Sequence, residues 1–299
     1  MINGRRILAV VLARGGSKGL PGKNLLPLGG KPMVAWSVIA AGASRLVDRA
    51  IVSTDDPAIA EAALAAGGEV PFMRPGELAR DEATVHESLI HALRQLGQPF
   101  DYLVALQATS PLRTGADIDG AITACDSAGA VTCVSVVPAP KSVYWSFAIG
   151  GAGRLEPILE SQWQTRRRQE LPTVYQPNGA VYVARVDWYR SHLTFVGPDT
   201  VPYVMPPERS LEVDSALDMT LISALFTGDS ANFSSRLETR PMNELLKGNF
   251  QTKTQVTDAP TKQETLEDRF EREAMKRLGG SIAYVSKKKV MWDLKNDKG

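Results

Sequence analysis

Short apolar runs alternate with longer, mixed stretches along the first part of the chain. The apolar runs are rich in β-branched residues, which is typical of buried strands in a parallel sheet. The stretches between them have the length and composition of helices. This alternation predicts an α/β fold with a doubly wound, mostly parallel sheet, in which ligands bind beyond the carboxyl ends of the strands. The predicted strands cover residues 7–12, 50–53, 102–107 and 131–137, and the predicted helices cover residues 33–46, 57–66, 83–96 and 116–128.

The alternation ends near Pro138. Residues 138–172 mix aromatic residues, glycines and an arginine cluster, which predicts an insertion or an oligomerisation lobe. Ser215 and Asp218 form a capping-box-like pair ahead of a last helix, so we expect Asp218 to cap that helix and not to act in catalysis. After the lobe, strands are predicted at residues 174–184 and 200–205 and a closing helix at residues 217–226.

The composition changes again beyond residue 228. Residues 229–263 are polar, poor in aliphatic side chains and interrupted by prolines, which predicts a linker. Residues 264–299 are predicted to form a C-terminal appendage, with a helix at 264–278 whose apolar side chains are spaced by fours. The appendage carries no motif with recognisable chemistry, so its role stays open and the function is assigned to residues 1–228.

Charge and cysteine usage narrow the functional class. The 299 residues carry 34 basic and 33 acidic side chains, a formal net charge of +1. This balance gives no global field that attracts nucleic acid or an anionic membrane, so neither partner is expected. The sequence has no apolar stretch of membrane-spanning length and no long apolar core of a secretory signal, so we expect a soluble, cytoplasmic protein. Cys125 and Cys133 are too few for a disulfide scaffold and are expected to be reduced and buried.

A glycine-rich, basic loop follows the first predicted strand directly. Residues 13–24 read Ala-Arg-Gly-Gly-Ser-Lys-Gly-Leu-Pro-Gly-Lys-Asn. Its four glycines let backbone amides approach an anion closely, and Arg14, Lys18 and Lys23 supply positive charge. The loop is therefore predicted to hold a polyphosphate.

This loop matches neither of the two commonest nucleotide-binding motifs. A Walker A motif would need glycine in place of Ser17 and a hydroxyl side chain in place of Asn24. The dinucleotide fingerprint fails as well, because Gly15 is followed two places later by Ser17. A P-loop kinase or ATPase is therefore excluded.

Further motifs follow along the chain in the order of one enzyme family. They are Gly30-Lys31-Pro32, Ser53-Thr54-Asp55, Arg74-Pro75, Leu106-Gln107 with Thr109-Ser110-Pro111-Leu112-Arg113, and Pro177-Asn178-Gly179-Ala180-Val181-Tyr182. Together with the loop, they make the chain resemble the acylneuraminate cytidylyltransferases over about residues 5–227. The resemblance implies a Rossmann-like fold of the nucleotide-diphospho-sugar transferase type with a small inserted dimerisation lobe.

The resemblance also implies a reaction between CTP and a sialic acid-like nonulosonate. The anomeric hydroxyl attacks the α-phosphate and pyrophosphate leaves, with Mg²⁺ as cofactor. The family further implies a homodimer whose lobes are exchanged between subunits. The implied catalytic residues are Arg14, Lys18, Lys23 and Asp214, and the implied nucleotide-binding residues are Leu12, Ala13, Arg14, Gly15, Lys18, Lys23, Asn24 and Arg74.

On the sugar-acid side, Gln107 ends a predicted strand, where its amide can both donate to and accept from hydroxyl or acylamino groups. A cation facing the sugar carboxylate is the physical expectation. By resemblance, Lys141 and Arg168 would serve the neighbouring subunit's site. The implied sugar-binding residues are Gln107, Lys141, Arg168, Asn178 and Tyr182.

The implied metal ligands depart from the family pattern. The family usually carries two aspartates one residue apart, and this chain has Glu212 and Asp214 at those positions. Magnesium is commonly held by one or two carboxylates together with phosphate oxygens and waters. We therefore expect Asp214 to be essential and Glu212 to matter less.

Two other functions stay open at the level of sequence. One is a ketodeoxyoctonate-type cytidylyltransferase, which shares the glycine-rich loop, and the other is a non-catalytic nucleotide-binding homologue. The sugar acid is undecided, because one methylene changes specificity by only about 1 to 3 kcal/mol. Asp55 and Asp56 follow a strand and precede a proline, so helix capping is at least as good an explanation for them as catalysis, and Asp81 is assigned to a helix start.

Overall fold

A six-stranded mixed sheet forms the centre of the protein. The structure is a computed structural model and describes residues 1–17, 19–159, 161–227, 284–286 and 289–291. In chain order, the strands of the sheet are β1 (Ile7–Leu12), β2 (Arg49–Ser53), β3 (Tyr102–Gln107), β4 (Thr132–Pro138), β5 (Tyr175–Arg185) and β6 (Thr200–Val204). Their spatial order is β6-β4-β5-β3-β1-β2, and β5 runs antiparallel to both of its neighbours while the other pairs are parallel.

Helices cover both faces of this sheet. They are α1 (Met33–Gly42), α2 (Pro57–Ala65), α3 (Val85–Leu96), α4 (Gly115–Ser127), α5 (Val186–His192) and α6 (Ala216–Thr227). The odd-numbered side chains of β1, such as Ile7 and Val11, pack against α1, α2 and α4, whereas Leu8 and Val10 pack against α3 and α5 on the other face. This arrangement confirms the doubly wound α/β fold, because each buried strand needs apolar cover on two sides.

The strand order places a crevice at the carboxyl end of β1. From β1 the chain passes to β2 on one side and later to β3 on the other. Leu12, the last residue of β1, pairs in register with Ser53 of β2 and with Gln107 of β3. Ligands of open α/β sheets bind at such a switch point, and the glycine-rich loop leaves β1 at this place.

The elements predicted within residues 7–226 are present, and the largest error in their bounds lies at the end of α1. The helix was predicted to reach residue 46 and ends at Gly42. Asp119 of α4 accepts hydrogen bonds from the Ser44 hydroxyl and from the backbone amides of Arg45 and Leu46. These bonds hold residues 44–46 in a non-helical turn.

The inserted region between β4 and β5 packs few of its side chains. It contains a short antiparallel hairpin in which Phe147–Ile149 pairs with Leu155–Pro157. All six hairpin residues are exposed, and Ile149 is 79% and Leu155 66% exposed to solvent. The insertion therefore presents an apolar surface.

The chain divides into two compact units, Met1–Glu238 and Thr239–Gly299. In the second unit, Tyr284–Ser286 pairs antiparallel with Lys289–Met291. The predicted helix at 264–278 and the predicted linker at 229–263 lie outside the described residues. Among the residues that the structure describes, no helix combines the length and the apolar character needed to cross a membrane.

Candidate active site

A cleft of about 310 Å³ opens at the carboxyl ends of β1 and β3. We call it the main cleft. It gathers eight of the residues that the sequence predicts for a site, from the glycine-rich loop, two strand ends and the segment before α6. These eight residues are Leu12, Arg14, Lys23, Asn24, Arg74, Gln107, Glu212 and Asp214, and the other lining residues are Leu78, Arg80, Asp81, Ala83, Thr84, Val85, Ser88, Ala108 and Thr109.

The glycine-rich loop is held at both ends by hydrogen bonds to fixed groups. At its start, the Gly15 amide donates to Asp55 Oδ1 at 3.1 Å. At its end, the buried Asn24 donates from Nδ2 to the Arg14 carbonyl at 2.9 Å, which closes the loop on itself. Asn24 thus has a structural bond in addition to its place on the cleft wall. Lys18 lies outside the described residues, so its predicted role stays a prediction.

Lys23 connects the loop to the segment before α6. Its Nζ donates to Asp214 Oδ1 at 3.1 Å and to the Val213 carbonyl at 3.3 Å. The side chain of Asp214 is 69% exposed, so this ion pair lies at the open rim of the cleft. The pair brings a predicted phosphate-binding cation and a predicted metal ligand to one place.

Arg14 contacts the opposite wall of the cleft. Its Nη1 lies 3.1 Å from Asp81 Oδ1 and 3.4 Å from the Arg80 carbonyl. The sequence assigned Asp81 to a helix start, and this is wrong, because Thr84 caps α3 through a capping box with Glu87. Asp81 instead faces the loop across the cleft mouth.

Arg74 is a buried cation, 6% exposed, beside the first turn of the loop. Its guanidinium donates to Ser88 Oγ at 3.0 Å and to Asp55 Oδ1 at 3.3 Å. Burial lowers the pKa of Arg74, and the bond to Asp55 partly offsets this effect. Asp55 therefore joins the loop to Arg74, whereas Asp56 caps α2, as predicted, by accepting from two backbone amides of its first turn.

Glu212 is half-buried in the floor of the cleft. Its Oε1 accepts from Thr109 Oγ1 at 2.8 Å. Burial raises the pKa of Glu212, the bond from Thr109 lowers it, and the charge of Asp214 raises it further. Gly179 has φ +72°, and a Cβ there would lie 2.9 Å from Glu212 Oε2, so only glycine fits against this carboxylate.

The carboxylates of the main cleft suit a hard cation that also binds oxygen atoms of the substrate and of water. Within the described ranges, no group of three or more histidine, cysteine, aspartate or glutamate side chains is assembled for a metal ion. Glu212 and Asp214 offer carboxylate oxygens on one side of the main cleft. Magnesium is usually bound by one or two carboxylates plus substrate phosphates and waters, so these residues fit it.

A second space of about 260 Å³ adjoins the main cleft and shares Leu12, Val85 and Gln107 with it. We call it the side chamber. Tyr182, a predicted sugar-binding residue, lines it, and burial raises the pKa of its hydroxyl. The remaining lining residues are His86, Ala105, Thr194, Phe195 and Val196.

Three predicted sugar-binding residues line neither space. Lys141 and Arg168 are exposed on the insertion. Asn178 is buried beside the irregular pairing of β4 and β5, where its Oδ1 accepts from Ser135 Oγ at 2.6 Å and its Nδ2 donates to Ser210 Oγ at 2.9 Å. These bonds give Asn178 a structural role, and a contact with sugar stays a prediction.

Arg113 has a structural role that its sequence motif does not reveal. The side chain is 3% exposed and donates to the carbonyls of Gln107 at 3.1 Å and Ala180 at 2.7 Å, and to Ser37 Oγ at 2.6 Å. Burial lowers its pKa to about 10. Arg113 therefore fixes the carboxyl end of β3, where Gln107 enters both spaces. The motif contained this arginine, but nothing in the sequence marked it as buried.

Comparison with known proteins agrees with this geometry. Residues 8–179 match the cytidylyltransferase family. The chain is 32% identical to the post-translational flagellin modification protein B of Campylobacter coli, covering 73% of this chain and 94% of that protein. It is 33% identical to a CMP-N,N'-diacetyllegionaminic acid synthase of Legionella pneumophila, covering 74% and 96%. It is 31% identical to an N-acylneuraminate cytidylyltransferase of Escherichia coli, covering 72% and 51%.

Solved structures show the same fold at lower identity. CMP:2-keto-3-deoxy-manno-octonic acid synthetase complexed with CTP superposes with a TM-score of 0.56 at 20% identity, covering 74% of this chain and 98% of that chain. The 4-diphosphocytidyl-2C-methyl-D-erythritol synthase of Anaerococcus prevotii gives a TM-score of 0.52 at 13% identity, with the same coverage. The match to the family and to these relatives confirms the resemblance found in the motifs: the chain belongs to the cytidylyltransferase family.

Proposed function

We propose that this cytidylyltransferase transfers CMP from CTP to the anomeric hydroxyl of a sialic acid-like nonulosonate and releases pyrophosphate. The observation that carries the proposal is the main cleft, in which the glycine-rich loop, Arg14 and Lys23 face Glu212 and Asp214 beside a chamber suited to a second substrate. Relatives named for diacetyllegionaminic acid and N-acylneuraminate support this substrate class. The ketodeoxyoctonate enzyme, at 20% identity, supports the fold alone.

Catalysis in this proposal depends on position and charge. The oxygen of the anomeric hydroxyl forms a bond to the α-phosphorus while the bond from that phosphorus to the pyrophosphate oxygen breaks. Backbone amides of the loop, with Arg14 and Lys23, would bind the triphosphate and neutralise the charge on the leaving pyrophosphate. Arg74, fixed by Asp55 and Ser88, would contact the nucleoside side of the cleft.

Magnesium is the proposed cofactor. Asp214 would hold it through the exposed carboxylate at the rim, and Glu212, shielded by Thr109, would take part through water. When bound, the ion supplies positive charge to the phosphate oxygens of the nucleotide. Lys23 would move from Asp214 to the triphosphate as the nucleotide enters, because phosphate oxygens compete for its ammonium group.

The sugar acid would occupy the side chamber, next to Gln107 and Tyr182. Its carboxylate needs a cation, and we propose that a second copy of the chain supplies Lys141 or Arg168 from its own insertion. The apolar side chains exposed on that insertion support a homodimer, since such surfaces usually mark a protein interface.

A cytoplasmic location completes the proposal. Cys125 and Cys133 are free and buried, as expected, which suits a reducing compartment in which CTP is made.

A substrate panel tests the proposal. Purified protein is incubated with CTP, Mg²⁺ and one sugar acid at a time, and pyrophosphate is measured. We expect release with N,N'-diacetyllegionaminate or N-acetylneuraminate, and at least about 100-fold less with Asp214→Ala protein, whereas Glu212→Gln protein keeps more activity. Release with ketodeoxyoctonate alone would move the assignment to that branch of the family. No release with any acid would support a non-catalytic nucleotide-binding protein.

A further inference from the structure

The walls of the side chamber are largely apolar. Val85, Ala105, Phe195 and Val196 contribute hydrocarbon surface, and Phe195 packs on Tyr182 with ring centroids 5.3 Å apart. The polar side chains that line this space are those of His86, Gln107, Tyr182 and Thr194. The side chamber therefore matches a ligand group that is partly apolar and needs a small number of directed hydrogen bonds.

His86 is held in one orientation by a buried tyrosine. Its Nδ1 lies 2.7 Å from the hydroxyl of Tyr189, a residue of α5 with no solvent exposure. Phe195 packs against both rings, with centroids 4.8 Å from Tyr189 and 6.2 Å from His86. The imidazole is thus fixed by one hydrogen bond and by an aromatic neighbour.

This hydrogen bond also determines which imidazole nitrogen carries the proton. Within the described part of the chain, the Tyr189 hydroxyl has no other hydrogen-bond partner than His86 Nδ1. A buried hydroxyl hydrogen without an acceptor is costly, so Tyr189 donates and Nδ1 accepts. Burial lowers the pKa of His86, which keeps the ring neutral. Nε2 therefore carries the proton and is left as a hydrogen-bond donor on a residue that lines the side chamber.

An acylamino group has the matching set of atoms. Its carbonyl oxygen accepts from an Nε2–H, its N–H can donate to the side-chain amide of Gln107, and its methyl group fits apolar walls. A hydroxylated carbon chain of the same length instead brings several O–H groups, which hydrocarbon walls leave unpaired.

We propose that His86 determines substrate specificity by donating a hydrogen bond from Nε2 to the carbonyl oxygen of an acylamino substituent on the sugar acid. The inference rests on the proposed function, because it assumes that a sugar acid occupies the side chamber. Tyr189 is a positioning residue in this scheme, because it acts through His86.

The test compares two nine-carbon acids that differ only in their substituents: N,N'-diacetyllegionaminate and the matched acid with hydroxyls in place of the acylamino groups. The readout is the ratio of the two kcat/KM values. We expect wild-type protein to prefer the acylamino acid, and His86→Leu to lower the ratio about tenfold, the size of one lost neutral hydrogen bond. His86→Gln, which restores a donor, should recover part of the preference, and Tyr189→Phe should lower it by a smaller factor.

His192→Leu is the matched control. His192 is exposed on α5, stacks on Trp188 and lies outside the side chamber, so the ratio should stay at the wild-type value. If both acids are turned over and the ratio is unchanged in both His86→Leu and Tyr189→Phe, the proposed role of His86 is overturned while the proposed function stands. If wild-type protein turns over neither of the two acids, the proposed function on which this inference rests is overturned.

Discussion

At the scale of single residues, the motifs divide into side chains that face the cleft and side chains that hold it in shape. Arg14, Lys23 and Asp214 line the main cleft. Arg113 and Asn178 are buried and form hydrogen bonds with other groups of the protein. Both groups come from motifs of one family, so the presence of a residue in a motif does not by itself distinguish a ligand contact from a supporting role. Arg113 and Asn178 line neither the main cleft nor the side chamber, and their hydrogen bonds go to groups of the protein, as buried polar groups require.

The ion pair of Asp117 and Arg209 lies outside the main cleft, so its contribution to the stability of the fold can be measured separately from catalysis. Asp117 of α4 is fully buried, accepts from Arg209 at 2.9 and 3.0 Å, and closes the capping box with Thr114. We expect Asp117→Asn to lower the free energy of unfolding by about 2 kcal/mol at neutral pH. This is less than the roughly 3 to 5 kcal/mol of fully buried pairs, because the Arg209 side chain is 38% exposed. Urea denaturation measures the change.

The pH dependence of this effect has a defined sign. Burial alone would raise the pKa of Asp117, but hydrogen bonds from Arg209 and Thr114 outweigh it and the pKa is lowered. The stabilisation is therefore complete above the unfolded value of about 3.9 and is lost as the pH falls through the folded value. The difference between wild type and Asp117→Asn should shrink below about pH 4. The exposed pair of Arg185 and Asp187 is the control, and Asp187→Asn should change stability by less than about 0.5 kcal/mol.

At the scale of elements, the glycine-rich loop and the segment before α6 act as one unit. Lys23 bonds to both Val213 and Asp214, and Gly19 approaches the backbone of Asp214 from the other side. The loop would bind phosphate and the segment would bind the metal, so their spacing sets the position of the α-phosphate. Positioning errors of about 1 Å can cost about 100-fold in rate.

Gly19→Ala tests this coupling. A Cβ on Gly19 would lie 2.7 Å from the Asp214 carbonyl oxygen, too close for any carbon atom, so the loop or the segment must move. We expect kcat/KM for CTP to fall by about 10- to 100-fold while the fold is kept. Gly42→Ala, at the end of α1 where a Cβ meets nothing within 4 Å, should leave the value unchanged. Equal kinetics for the two variants would show that the contact at Gly19 does not position the nucleotide.

The bounds of an element could be predicted from the sequence where neighbouring residues determine them. They could not be predicted where a residue distant in the chain determines them. β1 and β3 have the bounds that their apolar runs indicate, and the Ser215–Asp218 pair forms the cap that the spacing predicts. The end of α1 was missed because Asp119, 75 positions beyond Ser44, terminates it. The link from Asp55 to Arg74 was likewise hidden, since a sequence shows an aspartate before a proline but not the cation 19 positions away.

At the scale of the whole molecule, a sheet with one switch point places the two proposed substrate sites side by side. Leu12 and Gln107 are register partners at the ends of β1 and β3, and both line the main cleft and the side chamber. The fold class followed from the alternation of strands and helices. The side chamber did not, because Leu12, His86 and Phe195 come from segments far apart in the chain and carry no shared pattern.

The proposed homodimer gives a prediction at this scale. We expect light scattering to report twice the chain mass for wild-type protein and a shift towards the single-chain mass for Ile149→Lys, because Ile149 is 79% exposed on the apolar insertion. The variant should also lose activity, since Lys141 and Arg168 would no longer reach a neighbour's site. Leu64→Lys, which changes a 55% exposed leucine on α2, should remain dimeric and active. A wild-type protein of single-chain mass with full activity would contradict the exchange of lobes.

Phosphorus NMR of the reaction mixture tests directly whether CMP is transferred from CTP to a sugar acid by substitution at the α-phosphate. With wild-type protein, Mg²⁺ and N,N'-diacetyllegionaminate, we expect the three CTP signals to give way to one phosphodiester signal and to pyrophosphate, in equal molar amounts. Orthophosphate with CDP would mean hydrolysis at the γ-phosphate and would contradict transfer at the α-phosphate, as would CTP that stays intact with every acid of the panel.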